Sequence, residues 1–205
     1  VPARPEGRLA LYPTTDVSAA VEKLVQMLGS AQTALTENML NDVLGRVMQR
    51  TRELVGASRC TLYIANRGAK EMWSLVTDLQ QVDRPPVEQS PTASVRVAEN
   101  TTLRFPMAAG LAGWSASTGQ SVRVPDAYKD SRFHAEVDQQ HPSFTTASTL
   151  CVPLFAPGEK NACAVIQLLN KVGADQFDED DEELLRTIAA HAWPAVQKCS
   201  LFVQL

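Results

Sequence analysis

Two apolar runs late in the chain, Thr149–Phe155 and Ala162–Leu169, constrain its fold more than any other feature. Both are too short and too β-prone for helices, and the turn Ala156-Pro157-Gly158-Glu159 joins them. An earlier pair, Cys60–Ala65 and Met72–Thr77, alternates at period two around Asn66-Arg67-Gly68 and reads as a hairpin. A third strand is expected around Ser94–Ala98 and Thr102–Phe105, after an exposed Pro-rich loop over residues 79–92. Helical spacing governs both ends. Val17, Val21, Leu24, Val25 and Leu28 follow a capping signal at Thr15/Asp16, and Leu35, Met39, Leu40, Val43, Leu44, Val47, Met48 and Leu54 continue the pattern up to Gly56. Two helices, or one broken at Gly29-Ser30, are expected there. A last helix runs from Asp178 with Leu184, Leu185, Ile188, Ala192, Ala195, Val196, Cys199 and Val203 on one face, and Pro194 is expected to kink it. Between the strands, a helix is expected over Gly110–Thr118 and a short one near His134–Gln140. This linear order predicts one α+β domain over residues 16–205, with an antiparallel sheet and helices on one face. Residues 1–15 contain Pro2, Pro5 and Pro13 without apolar periodicity and read as a linker or appended remnant.

Composition excludes several classes of function. The 205 residues are 44% hydrophobic, and a chain of that length buries roughly 70% of its unfolded surface, so no metal or disulfide staple is needed. With 19 Lys+Arg against 23 Asp+Glu and no basic stripe, a nucleic-acid polymer is not an expected partner. No apolar run approaches the ~18 residues of a membrane span, and the N-terminus lacks the apolar core of a signal peptide. Cys60, Cys151, Cys163 and Cys199 are scattered, with no CxxC, which suits buried free thiols in a reducing, cytoplasmic setting.

Few motifs carry chemistry. The acidic run DQFDEDDEE at 175–183 lacks the glycine and ligand spacing of a Ca²⁺ loop and suits a solvated helix N-terminus, so no metal is expected. His134, His141 and His191 are the only imidazoles, and no nucleophile or phosphate-loop motif accompanies them, so no catalytic residues are expected. Gly110-Leu111-Ala112-Gly113 is the exception. Two glycines at the start of a helix expose N–H groups and the positive end of the dipole to an anion, although close helix-on-sheet packing calls for the same glycines.

Around this segment the sequence resembles the GAF domains of the cyclic nucleotide phosphodiesterase and adenylyl cyclase type. The resemblance runs from Phe105-Pro106 into Gly110-Leu111-Ala112-Gly113, then Thr118-Gly119-Gln120, Val124-Pro125-Asp126-Ala127-Tyr128, Arg132-Phe133 and Leu150-Cys151-Val152-Pro153-Leu154. It closes on the family's signature of NK, spacer, F, three residues and DE, met by Asn170-Lys171, Phe177 and Asp181-Glu182. It covers about residues 36–200. The fold implied is a central antiparallel sheet of about six strands, with terminal helices on one face and a ligand pocket on the other.

The function implied is non-catalytic binding of a cyclic nucleotide, cyclic GMP favoured over cyclic AMP, with signalling to an attached effector such as a phosphodiesterase or cyclase. No other cofactor is implied. By position, Leu111 and Ala112 would offer N–H groups to the cyclic phosphate, and His134 stands where the family often has an aromatic residue. Asp138 and Thr146 fall on a lid, while Thr61, Asp78 and Gln167 lie on or end strands around ribose and base, with Asp78 against the guanine edge. Asn170, Lys171, Phe177, Asp181 and Glu182 would form a latch in which Lys171 and Asp181 pair beneath the lid. The terminal helices imply a homodimer. Related readings are a ligand-free dimerisation module, a bilin sensor and a methionine sulfoxide reductase. The bilin reading needs a Cys beside a pocket His, and neither His134 nor His141 follows one; the reductase needs closely placed reactive thiols.

Overall fold

The computed structural model describes residues 14–32, 37–77, 103–138 and 144–203. The helices are α1 (Thr14–Gln32), α2 (Glu37–Val55), α3 (Gly110–Thr118), α4 (Ala135–Asp138) and α5 (Glu179–Val203). The strands are β1 (Ala57–Asn66), β2 (Glu71–Thr77), β3 (Arg104–Pro106), β4 (Val122–Val124), β5 (Thr149–Phe155) and β6 (Ala162–Lys171). They form one six-stranded sheet in the order β3-β2-β1-β6-β5-β4, antiparallel at every pairing. The architecture is α+β, as the linear order of elements predicts.

Alternation along the strands sends side chains to two separate layers. Cys60, Leu62 and Ile64 of β1, Leu150, Val152 and Leu154 of β5, and Ala164, Ile166 and Leu168 of β6 face the terminal helices. There they meet Leu24 of α1, Leu44, Val47 and Met48 of α2, and Leu185, Ile188, Ala192 and Val196 of α5. The opposite face carries Tyr63, Cys151 and Val165, covered by Leu111, Ala112 and Ala116 of α3 and Val137 of α4. Tyr63 and Phe105 meet edge to face there, 5.3 Å between ring centroids.

Two departures from the sequence reading have local causes. α1 continues through Gly29-Ser30, because an exposed helical glycine costs only about 1 kcal/mol; it ends at Gln32, and α2 begins at Glu37. β4 is a strand the period-two reading passes over, since Val122-Arg123-Val124 offers a single alternation and gains its identity by pairing with Thr149–Cys151. The third strand is Arg104–Pro106 alone among the described residues; the expected segment Ser94–Ala98, the 79–92 loop and Asp78 lie outside them. α5 passes through Pro194 without interruption of its helical residues.

Glycine is required where α3 meets the sheet edge. A Cβ at Gly113 would stand 2.5 Å from the Met107 carbonyl oxygen, so the position serves close backbone packing. Gly29 has nothing within 4 Å of its Cβ position. Gly113→Val is therefore expected to cost about 3 kcal/mol and to lower Tm by roughly 6–12 °C. Gly29→Ala should stabilise by up to about 1 kcal/mol. Thermal melts of the two variants check both expectations.

Candidate functional site

The sheet face away from the terminal helices is built in rungs. The register sets Arg59, Leu169 and Thr149 side by side, then Thr61, Gln167 and Cys151, then Tyr63, Val165 and Pro153. The last rung is apolar and lies under α3. The first two carry polar side chains that are almost wholly buried: Arg59 is 4% exposed, Thr61 and Gln167 1%, and Thr149 0%. Burial of such groups is costly unless they find partners.

Asp138 reaches these rungs through Gln167. It ends α4, is 1% exposed, and its carboxylate accepts the Leu111 N–H at 3.1 and 3.3 Å and the His134 N–H at 2.8 Å. The Gln167 amide nitrogen stands 3.5 Å from the same carboxylate. Thr146 donates its hydroxyl to the Asp138 carbonyl at 3.1 Å. The negative charge sits where the α3 dipole is positive, within the first helical turn. Gly110, with φ +73°, admits the approach, because a Cβ there would lie 2.9 Å from both carboxylate oxygens. Burial pushes the Asp138 carboxyl above its ordinary range, and the hydrogen bonds from His134, Leu111 and Gln167 oppose that shift.

Of the residues expected around a ligand, Thr61, Leu111, Asp138, Thr146 and Gln167 thus belong to one buried cluster, and Ala112 adjoins it on α3. His134 is exposed and enters the cluster through its main-chain N–H. Asp78 and His141 lie outside the described residues. Arg59 and Thr149 are absent from the sequence reading. The Arg59 guanidinium stacks on the Phe144 ring at 3.7 Å from its centroid, and the buried Thr149 hydroxyl has no hydrogen-bond partner among the described residues. The signal for Arg59 was its place two residues before Thr61, on the same face of one strand.

The signature residues form a second set of contacts at the end of β6. Lys171 Nζ pairs with Asp181 Oδ1 at 2.5 Å and donates to the Val55 carbonyl at 2.6 Å, with both side chains largely buried. Asp181 also caps the start of α5, accepting the Asp178 N–H at 3.1 Å while its own N–H goes to Asp178 Oδ1 at 2.9 Å. Burial pushes its carboxyl up against the opposing pull of Lys171. The Phe177 ring centroid lies 5.8 Å from Lys171 Nζ, and Glu182 pairs with Arg186 at 2.5 Å. The ion pair therefore joins the ends of α2 and β6 to the start of α5. Asn170 holds the 144–148 segment instead: at φ +55°, it accepts the Ala147 N–H and donates to the Thr145 carbonyl, each at 2.7 Å.

Thiol chemistry finds little support in this arrangement. Cys151 sits in the layer beneath α3 and α4, and Cys163 packs against the layer beneath the terminal helices. Burial holds the Cys151 thiol well above its ordinary range and pushes Cys163 up to about 11. Among the described residues no cluster of His, Cys, Asp and Glu has the arrangement of a metal site.

A GAF domain family model matches residues 39–196. The chain is 28% identical over 163 residues to a probable 3',5'-cyclic phosphodiesterase pde-5 of Caenorhabditis elegans, covering 80% of this chain and 21% of the relative. It is 31% identical over 150 residues to a cGMP-specific 3',5'-cyclic phosphodiesterase of Drosophila mojavensis, covering 73% and 13%. The chain thus spans only about a fifth or less of the curated relatives it matches. Among solved structures, the GAF domain of a phosphoenolpyruvate-protein phosphotransferase from Coxiella burnetii superposes with TM-score 0.64 at 18% identity over 93% of this chain and 99% of that one. A free methionine-R-sulfoxide reductase from Neisseria meningitidis superposes with TM-score 0.56 at 18% identity over 89% and 93%. These two likenesses are of fold. With the family model covering most of its length, a six-stranded antiparallel sheet and the signature residues Lys171 and Asp181 paired at the end of β6, the chain belongs to the GAF domain family.

Proposed function

We propose that this GAF domain is a regulatory module that binds a cyclic nucleotide without turning it over and passes its occupancy to an effector outside these residues. The observation that carries the reading is the buried polar cluster of Thr61, Gln167, Asp138 and Thr146 on the sheet face opposite the terminal helices. Hydroxyls and an amide there suit ribose and base edges, and the start of α3 beside them suits a cyclic phosphate through the N–H groups of Leu111 and Ala112. The relatives named as cyclic nucleotide phosphodiesterases supply the ligand class. Asp78 completes the reading, its carboxylate accepting the N1–H and exocyclic amine of guanine and repelling the N1 acceptor of adenine.

The terminal helices supply the output and the surface for a homodimer. No helix among the described residues is long and apolar enough to cross a membrane. One observation favours the ligand-free dimerisation reading: the Leu111 N–H already has an acceptor in Asp138.

Calorimetry separates the two readings. Saturable heat with cyclic GMP, and weaker binding of cyclic AMP, is the expected result; no heat with either leaves the dimerisation module. Asp78→Ala is expected to collapse the preference by roughly 10- to 100-fold, since a carboxylate set against the N1 acceptor of adenine without a donor costs about 1–3 kcal/mol in a dry site.

The Lys171–Asp181 pair yields a separate expectation, because Asn170 beside it grips the lid segment. Lys171→Met and Asp181→Ala should each weaken cyclic GMP retention, and the double variant should lose no more than the worse single one. Additive losses in that cycle count against coupling.

A further inference from the structure

We infer that Asp138 is the resident anion of the ligand site, so that a cyclic nucleotide binds by exchange, its phosphate displacing the carboxylate from the start of α3. This rests on the proposed cyclic nucleotide reading and changes the part Asp138 plays in it, from ligand contact to internal competitor. The carboxylate accepts the Leu111 N–H at 3.1 and 3.3 Å, the same donor the phosphate would take. One N–H does not serve two full anions, and like charges at this separation repel in a buried site. The space is also filled: the carboxylate oxygens lie 2.9 Å from where a Cβ of Gly110 would stand. Two further donors, the His134 N–H at 2.8 Å and Gln167 Nε2 at 3.5 Å, hold the carboxylate in this position.

The exchange has a mechanical consequence. Asp138 closes α4, and its carbonyl accepts the Thr146 hydroxyl at 3.1 Å, so withdrawal of Asp138 moves α4 and the 144–148 segment together. Ala147 in that segment is tied to Asn170 at 2.7 Å, and Asn170 precedes Lys171, whose ammonium group holds Asp181 of α5. Anion exchange at α3 thereby reaches α5 through covalent neighbours and named hydrogen bonds.

The test compares this chain with Asp138→Asn in calorimetric titrations of cyclic GMP and of guanosine, which lacks the phosphate. The expected result is cyclic GMP binding about ten-fold tighter in Asp138→Asn, with guanosine affinity changed by less than about two-fold, since only a charge-assisted competitor is removed. Unchanged or weaker cyclic GMP binding in the variant overturns the inference and leaves cyclic nucleotide binding standing. If neither protein binds cyclic GMP, the proposed function fails, and the exchange is read with inorganic phosphate by the Leu111 amide resonance. A shift in both proteins, with a midpoint about ten-fold lower in Asp138→Asn, supports the exchange; equal midpoints, or no shift in the unmodified chain, overturn it. Should the variant fail to fold, the unmodified chain is titrated with cyclic GMP and, if that does not bind, with phosphate. The Asp138 carboxyl and Leu111 amide resonances must then move with one midpoint, and any other pattern overturns the inference.

Discussion

Burial of the sheet on both faces is the constraint from which the rest of this structure follows. Strands β1, β5 and β6 have no solvent side at their centres, so each residue is assigned by alternation to one of two interiors. Apolar residues fill the interior beneath the terminal helices. The other interior receives polar positions as well, and a polar group there has to be answered from the layer above. α3, α4 and the segment after Phe144 supply those answers: a helix end, a carboxylate and a hydroxyl. The candidate site is thus the place where the packing problem of a doubly covered sheet is solved with hydrogen bonds rather than with methyl groups.

The same constraint separates what was legible in the sequence from what was not. β1, β5 and β6 were legible because their apolar runs are long and bounded by turns, and α3 because two glycines mark its start. β4 was hidden, since a three-residue strand is defined by its neighbour rather than by its own pattern. Gly29-Ser30 misled in the opposite direction, because a weak propensity penalty was read as a break that tertiary packing of α1 overrides. The family resemblance pointed to Thr61, Thr146, Asp138 and Gln167, all of which the fold buries. It did not find that Asp138 accepts the Leu111 N–H, since residues 27 apart meet only through the path of the chain between them. Nor did it find Arg59 under Phe144.

The two glycines of the α3 start also prove to have different duties. Gly113 answers to the backbone of Met107, and Gly110 answers to the Asp138 carboxylate. A motif read as one anion-binding element is, in the folded chain, one packing residue and one residue that admits a charge. That division is why substitution at Gly113 reports on stability, whereas the chemistry of the anion position is read at Gly110 and Asp138.

The sheet order carries a consequence for how this domain comes to be folded. β1 and β6 are central neighbours, pairing Cys60 with Leu168, although they stand at opposite ends of the sheet sequence. During synthesis β1 can join its hairpin partner β2 early, but its other edge stays unpaired until β6 has been made. Closing so long a loop carries an entropic cost before any contact rewards it, which places the central pairing late and makes folding slow for the chain's size. Until then the β1 edge, apolar on one face through Cys60, Leu62 and Ile64, is a template for pairing with another chain. The arrangement that seats the candidate site at the middle of the finished sheet therefore leaves the half-synthesised domain with an open, partly apolar strand edge.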